Sequence, residues 1–574
     1  MLRRWWQKLP ERLEFELEAL RSLGIEPSID DDEFGRGRVV ITFTYSVDGD
    51  PTSFRAVFPA LYPQLPFELY APDLGLKHHQ NPFQGNLCLL ADPTSNWRPK
   101  YFLAQFLVDQ LPAVIATGRT MDAAAAAGIE QRQAEPVSVY YEYEPNSVVL
   151  VDSAWRIPPG ENKGDLQLGV EMVSPLRGAV VLATLSSDRI TADAAIERRY
   201  PSRVAGRWFS VPEPILEQEP SSLLEAVADR HPSAREPAWQ QVPGGFIDIV
   251  GVVFPEETAW REEGLGWVFI VRRARDPRSR SERRKAGSRG RSMVSDPALI
   301  RSDRYGRQDA GARIPRLAEL SQKTVTVIGT GAIGAPIALD LARAGIGTLR
   351  LLEHDHIEAA TTVRWPLGIA AAGCNKAEAL GDHIATNWPY THVEGARMRV
   401  GAAQLAGKDE LEVLDALLAG SHLLLDATAE LSVQRALADV ARELGMPYLS
   451  VSAADGAWGG VVAALKPDSE ACWYCIQWAM ADGTIEPPPA DTATVQPVGC
   501  ASPTFTGANF DLTPVAAMAT RMAVMTLIGE TYGEGAWDVA VLALRDAEGR
   551  PLPGSWTTYP ATRHPRCTNH TPHH

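Results

Sequence analysis

A short β-branched run, Thr324 to Ile328, leads directly into Gly329-Thr330-Gly331-Ala332-Ile333-Gly334, and that junction leaves few folds open to the carboxy-terminal half of the chain. The glycines permit a tight turn and a close approach of backbone to phosphate. A helix predicted to run on to Ala344 would add unpaired N–H groups and the positive end of its dipole. A second strand, Thr348 to Leu352, ends at Glu353, so the spacing predicts a βαβ nucleotide unit. Taken alone, a glycine fingerprint followed by an acid 24 residues after Gly329 suits an NAD enzyme as well as an ATP enzyme.

At 574 residues the chain exceeds one core, and about 150 residues per domain predicts three or four units. Hydrophobic residues make up 45% and charged residues 22%, an ordinary globular composition, and no apolar run approaches the roughly 20 residues that cross a bilayer. A membrane protein is therefore not expected. The basic start, Met1 to Lys8, passes into Glu11-Arg12-Leu13-Glu14 without the apolar core of a secretory signal, which predicts a cytoplasmic protein. A net charge of -16 repels phosphate backbones and argues against nucleic acid as the main partner. Six cysteines in so long a chain are not a disulfide framework; in a reducing compartment they are thiols for catalysis or metal.

The amino-terminal 135 residues read as helix, antiparallel meander, active loop, helix. Leu13, Leu17, Leu20 and Leu23 have helical spacing, and Ile41, Phe43, Tyr45 and Val47 alternate before a turn at Asp48-Gly49. Further strands are predicted at Phe54 to Phe58 and Phe67 to Tyr70, and a helix at Tyr101 to Ala116. Residues 136–271 predict a β-rich connector, with strands at Ser138 to Glu142, Ser147 to Val151, Gly178 to Leu185 and Trp267 to Val271. Residues 272–300, dense in arginine, read as a solvated basic linker or an anionic docking site, and the last domain is expected over 301–574.

Four further features separate the ATP and NAD readings: Arg304-Tyr305-Gly306-Arg307-Gln308, then Glu353-His354-Asp355-His356-Ile357 with Arg364, then Gly373-Cys374-Asn375-Lys376, and Leu423-Leu424-Leu425 ending in Asp426-Ala427-Thr428. With these the chain resembles the ThiF/MoeB-type adenylating family of ubiquitin-activating enzymes and their bacterial sulfur-carrier relatives. The resemblance implies a Rossmann-like fold and activation of a carboxylate by ATP and Mg2+. It implies Gly329, Gly331 and Gly334 at the nucleotide, Glu353 on the ribose beside Asp355, Arg364 and Lys376 on the phosphates and Asp426 on magnesium. Arg307 would reach into the site of a second copy, which implies a homodimer. Glu353 stands where aspartate is usual, Thr361 where asparagine is usual, and Trp365 where glutamine usually follows the arginine.

A thioester step needs a thiol. Cys500, in Pro497-Val498-Gly499-Cys500-Ala501-Ser502-Pro503, lies in a turn-rich stretch that should expose it, and the resemblance points to it too; the alternative is a buried small apolar residue. Cys472-Trp473-Tyr474-Cys475 has half-zinc-site spacing, which Cys567 and His570 would complete as a structural Zn2+ site, against two packed thiols and a frayed tail.

At the amino end, Tyr62-Pro63-x-x-Pro66, Gly85-x-x-Cys88 and Trp97-x-Pro99 resemble a ubiquitin-conjugating domain, an α+β fold whose cysteine, here Cys88, receives the acyl group and passes it to an amine. His78 falls ten residues before Cys88, with Gln80 or Asn81 as the amide facing the oxyanion. A conjugating domain, a β-rich connector and an adenylation domain in this order resemble the fused enzymes of bacterial antiphage operons, the CD-NTase-associated protein 2 family. That resemblance implies a relay from ATP through Cys500 and Cys88 to a target amine. The protein whose C-terminus is activated would be a cGAS-like nucleotidyltransferase or, in sister systems, a ubiquitin-like protein. An NAD-dependent oxidoreductase and an inactive scaffold are the rival classes.

Overall fold

The computed structural model describes residues 3–570 except 91, 121, 128–132, 153–154, 158, 186–187, 192–198, 276–292, 295, 402–408 and 492–504. It divides into two compact units, the first ending at Arg304 and the second beginning at Tyr305. The expected α/β and α+β multidomain class is observed.

The first unit opens with a helical turn, Trp5–Lys8, then helix Pro10–Ser22 and a four-stranded antiparallel sheet, Ser28–Ile29, Val39–Val47, Asp50–Phe58 and Glu68–Tyr70 in that order. The middle hairpin turns at Asp48 and Gly49, both with positive φ, which pairs Val47 with Asp50. Helix and sheet bury one core that includes Leu20, Ile41, Phe54, Trp97 and Leu107. Inside it the Glu16 carboxylate receives the Leu103 N–H at 2.9 Å, the Arg12 guanidinium at 2.9 Å and the Tyr62 hydroxyl. That network ties the first helix to the proline-rich loop. The helix predicted over Tyr101 to Ala116 is instead two, Leu103–Asp109 and Leu111–Gly118, because Pro112 has no N–H to continue the first.

The β-rich part of this unit is a closed barrel. Its seven strands run around the ring as Val148–Asp152, Ala298–Tyr305, Glu262–Arg275, Gly245–Ala259, Ser202–Ser210, Lys163–Val173 and Leu176–Leu185, the last pairing back onto the first. Trp155, Trp208, Trp267 and Phe269 fill its interior. The strand expected at Ser138 to Glu142 is a short 3-10 turn, Val137–Tyr140. The Ser138 N–H and hydroxyl are both taken by the Glu256 carboxylate, at 2.8 and 2.9 Å, rather than offered to a neighbouring strand.

The basic linker expected over 272–300 is also corrected at both ends. Strand Glu262–Arg275 carries Arg272 and Arg273 inside the barrel wall, and Ala298–Tyr305 is a barrel strand rather than the start of the last domain. Arg272 is buried because it and Arg207 enclose Asp248, at 2.7 and 2.9 Å. Breaking a buried pair strands its partners' charge, at a cost of about 3–5 kcal/mol. Asp248→Ala is therefore expected to lose stability in that range, read as a lowered urea midpoint for this unit, while Lys163→Ala on the exposed surface should leave it unchanged.

The second unit is built on an eight-stranded sheet in the order His392–Ala396, Thr348–Leu352, Thr324–Ile328, Leu423–Asp426, Tyr448–Ala453, Gly459–Leu465, Val539–Arg545, Pro551–Tyr559. The first five strands are parallel and the last three antiparallel. Chain order reverses at Thr324–Ile328, flanked by strands that follow it at different distances in sequence. A doubly wound sheet opens its ligand crevice at that reversal. Helix Asn509–Tyr532 carries Pro514 near its start. It is long and apolar enough to cross a membrane, yet it packs Val515, Ala516, Ala519, Met522 and Ala523 into the core beside the sheet.

Candidate functional site

The glycine loop joins strand Thr324–Ile328 to helix Gly334–Arg343, as the sequence predicted, and the strand order puts it at the sheet's reversal point. Gly329 has φ +86°, and a Cβ there would stand 2.9 Å from the Ala427 carbonyl. A Cβ on Gly334, the first residue of helix Gly334–Arg343, would stand 1.9 Å from the Gly329 carbonyl oxygen. These two glycines are required by the protein's own backbone. Gly331 differs: no described residue lies within 4 Å of its missing Cβ, so its open face admits a ligand. Beside it the buried Thr330 hydroxyl has no hydrogen-bond partner among the described residues.

Glu353 holds this loop. Its carboxylate accepts the Thr330 N–H at 3.0 Å on one oxygen, and those of His354 at 2.8 Å and Asp355 at 3.0 Å on the other. A carboxylate has about four acceptor positions, so little remains for a ribose hydroxyl. Trp365, noted in the sequence only as a departure, is buried and donates its indole N–H to the Thr330 carbonyl at 2.9 Å. Lys376, capped into its helix by Asn375, pairs with Asp355 at 2.6 Å. Partial burial alone would raise the Asp355 pKa, but the Lys376 ammonium and the His356 N–H hold it below its ordinary value.

Arg364 donates to the Phe505 carbonyl at 2.7 Å and its guanidinium lies 5.4 Å from that ring's centre. Burial depresses its pKa, and among the described residues it has no acidic partner. A half-buried cation without an anion, an open glycine face and an orphan hydroxyl together fit a phosphate chain. Arg307 donates to the Tyr390 carbonyl of its own chain at 2.6 Å.

Asp426 departs from expectation. It is fully buried, its oxygens take Thr428 N–H and hydroxyl at 3.0 and 2.7 Å and the Tyr448 hydroxyl at 3.0 Å, and burial raises its pKa. An acid shielded in this way braces the strand end and is not placed to meet magnesium. Cys500 lies outside the described residues. Among those of this unit, Cys374 is the exposed thiol.

Cys472, Cys475, Cys567 and His570 come together as anticipated, their ligand atoms all within 4.8 Å of one another. The sulfur separations are 3.8 Å and 3.5 Å, and Cys475 Sγ is 3.1 Å from His570 Nε2. A tetrahedral Zn2+ with Zn–S bonds of about 2.3 Å has edges near 3.8 Å, whereas a disulfide is about 2.05 Å. These residues fit zinc.

In the first unit Cys88 is exposed at a cavity of about 340 Å³. Its N–H donates to the His79 carbonyl at 2.8 Å, and each of the two histidines beside it is anchored by a carboxylate. His79 Nδ1 is 2.9 Å from Glu135, and His78 Nδ1 is 3.2 Å from Glu257. Burial first, then the nearby Arg261 charge, lowers the His78 pKa. The Gln80 side chain is spent on structure, accepting from Leu76 N–H at 2.6 Å and donating to the Ala71 carbonyl at 2.7 Å. Asn81 uses its oxygen for the N–H groups of Phe83 and Gln84, at 2.9 and 3.1 Å, and lines the cavity with its amide nitrogen uncommitted among the described residues. Of the two amides, Asn81 is the one able to donate to an oxyanion. Glu135, Glu257 and Tyr140, which complete this site, belong to no motif and carried no signal in the sequence.

Residues 305–534 match the ThiF family and residues 21–150 match Prokaryotic E2 family B. The chain is 30% identical to Uncharacterized protein y4oA of Sinorhizobium fredii over 98% of this chain and 97% of that protein, and 30% identical to y4qC of the same organism over 96% and 95%. It is also 24% identical to Ubiquitin-like modifier-activating enzyme 5 of Culex quinquefasciatus, over 34% of this chain and 51% of that protein. The protein thus belongs to one family with y4oA and y4qC, as an enzyme that joins an E2-like domain to a ThiF-type adenylation domain.

Proposed function

We propose that the protein activates the C-terminal carboxylate of a ubiquitin-like protein and conjugates it to an amine. The observation that carries this reading is an exposed Cys88 at a cavity of an E2-like domain, in one chain with a ThiF-type glycine loop that fits phosphates. A carboxylate oxygen attacks the α-phosphorus of ATP and pyrophosphate leaves. Gly331 and the Thr330 hydroxyl offer the phosphates their approach, and Arg364 and Lys376 offset their charge. A thiolate then attacks the acyl carbon and releases AMP; we assign this to Cys500. Phe505, held by Arg364, follows Cys500 by five residues, which reach at most about 18 Å. Cys88 takes the acyl group by thiol exchange, and an amine releases it.

The ubiquitin-like substrate is favoured over a cGAS-like nucleotidyltransferase because the named relatives of the adenylation domain include ubiquitin-like modifier-activating enzymes. Pyrophosphate exchange tests the reading. A ubiquitin-like protein with a free C-terminus should stimulate exchange in the intact enzyme and leave a thiol-reducible adduct. Cys88→Ala should keep exchange and lose conjugation by at least about a thousandfold, since a nucleophile is removed outright. Cys500→Ala should keep exchange and lose both adducts. Exchange stimulated only by a nucleotidyltransferase would move the substrate assignment, and none with any carboxylate would end the proposal.

A further inference from the structure

Tyr140 reaches into the Cys88 cavity from the segment that joins the conjugating sheet to the barrel, within the stretch that matches the E2 family. It stands at the end of the Val137–Tyr140 turn, and that turn is fixed from several directions. Ser138 is bonded twice to Glu256, the Glu135 N–H donates to Glu257 at 2.9 Å, and the Tyr140 carbonyl accepts the Gln218 side chain at 2.9 Å. Glu256 and Glu257 lie on barrel strand Gly245–Ala259, so the barrel braces the turn that carries the ring. Its hydroxyl makes no hydrogen bond to the described residues, whereas every other amide or imidazole of the chamber treated above is engaged at one atom or more.

We propose that Tyr140 is a catalytic hydrogen-bond donor of the Cys88 reaction, carried on a turn that the barrel braces and serving the oxyanion that forms when an amine attacks the thioester. This rests on Cys88 being the acceptor thiol. The amine lone pair bonds to the carbonyl carbon and the C=O π pair moves onto oxygen. The phenol O–H and the Asn81 amide donate to that oxygen. Collapse restores C=O and breaks C–S, Cys88 departs as thiolate, and the proton of the new ammonium passes to solvent. Burial, then Glu135, then Cys88, push the Tyr140 pKa up to about 12, so the phenol keeps its proton and serves as donor rather than base. Glu68, His79, Glu135 and Cys88 are the titratable groups that face or flank it.

The test uses the full chain and needs neither the natural substrate nor ATP. Cys88 is acylated by exchange with the mercaptoethanesulfonate thioester of N-acetylglycine, and loading is confirmed by mass spectrometry against Cys88→Ala. Discharge to free lysine is then followed. Removing one oxyanion donor costs about a hundredfold or more in rate. Tyr140→Phe is therefore expected to load normally and melt at the same temperature. Its maximal discharge rate should fall about a hundredfold, with the half-saturating lysine concentration unchanged. The deficit should hold constant from about pH 7 to 9.5, and 2,3-difluorotyrosine at this position, a stronger donor, should restore or raise the rate. An unchanged maximal rate, a change confined to half-saturation, or a deficit that grows with pH as a base would show, overturns the assignment. Failure of the unmutated protein to acylate at Cys88 would instead overturn the acceptor-thiol reading on which it stands.

Discussion

Gly334→Ala is expected to abolish nucleotide-dependent exchange while the protein still folds. The added Cβ would stand 1.9 Å from the Gly329 carbonyl oxygen and 3.0 Å from the Ala427 side chain, so the loop has to move by more than an ångström to make room. A displacement of about 1 Å in a positioned reactant costs on the order of a hundredfold in rate. Here it also moves the Thr330 hydroxyl and the open face of Gly331, which the proposed reaction turns toward the phosphates. Exchange should fall at least about a hundredfold, with a melting temperature lowered by only a few degrees. Gly331→Ala is the matched control. Its Cβ meets nothing within 4 Å, so stability should be unchanged, and the loss should appear as weaker ATP binding measured by calorimetry. Wild-type exchange in Gly334→Ala would show that the loop does not hold the nucleotide.

The distinction between those two glycines marks where sequence reading stopped. The fingerprint gave the strand, turn and helix, because each depends on residues adjacent in the chain: β-branched Thr324 to Ile328, the glycines, the apolar face of Gly334–Arg343. Which glycine serves the backbone and which faces open space depends on how the turn closes: Gly334 meets the Gly329 carbonyl, and both approach Ala427, almost a hundred residues on. Asp426 shows the same limit. Its place at a strand end was read correctly, yet Tyr448 and Thr428 occupy its oxygens, and a motif position says nothing about burial. The Cys88 chamber went furthest beyond the sequence. Its cysteine and histidines lie within one loop, but the carboxylates that anchor them and the phenol that lines the cavity come from residues 135–140 and a barrel strand, where no spacing rule links them. The barrel also claimed Arg272, which charge density alone assigned to solvent; a single buried acid, Asp248, reverses that assignment.

The Cys472, Cys475, Cys567 and His570 cluster was found from sequence despite the long gap between its halves, because cysteines are scarce here and each pair carries its own ligand spacing. The purified protein is expected to contain about one zinc per chain by emission spectroscopy. The cluster joins the start of helix Trp473–Ala481 to the chain's last described residues, and three of its four ligands are buried in the core that holds Trp473 and Val539. Structural zinc sites in small peptides supply about 10–16 kcal/mol of apparent folding energy. In a unit that already has a large core, a loss of about 4 kcal/mol is a reasonable share, and for a domain of this size about 2–4 °C accompanies each kcal/mol. Cys475→Ser should therefore lose the metal and melt about 10 °C lower in the adenylation unit, leaving the transition of the amino-terminal unit in place. Chelation of the unmutated protein should reproduce the shift, and added zinc should reverse it. The pairing separates metal binding from packing: a serine in a tight thiol core destabilises through lost volume, but a chelator acts only where an ion is held. A metal-free protein with unaltered melting in chelator would identify the cluster as packed thiols.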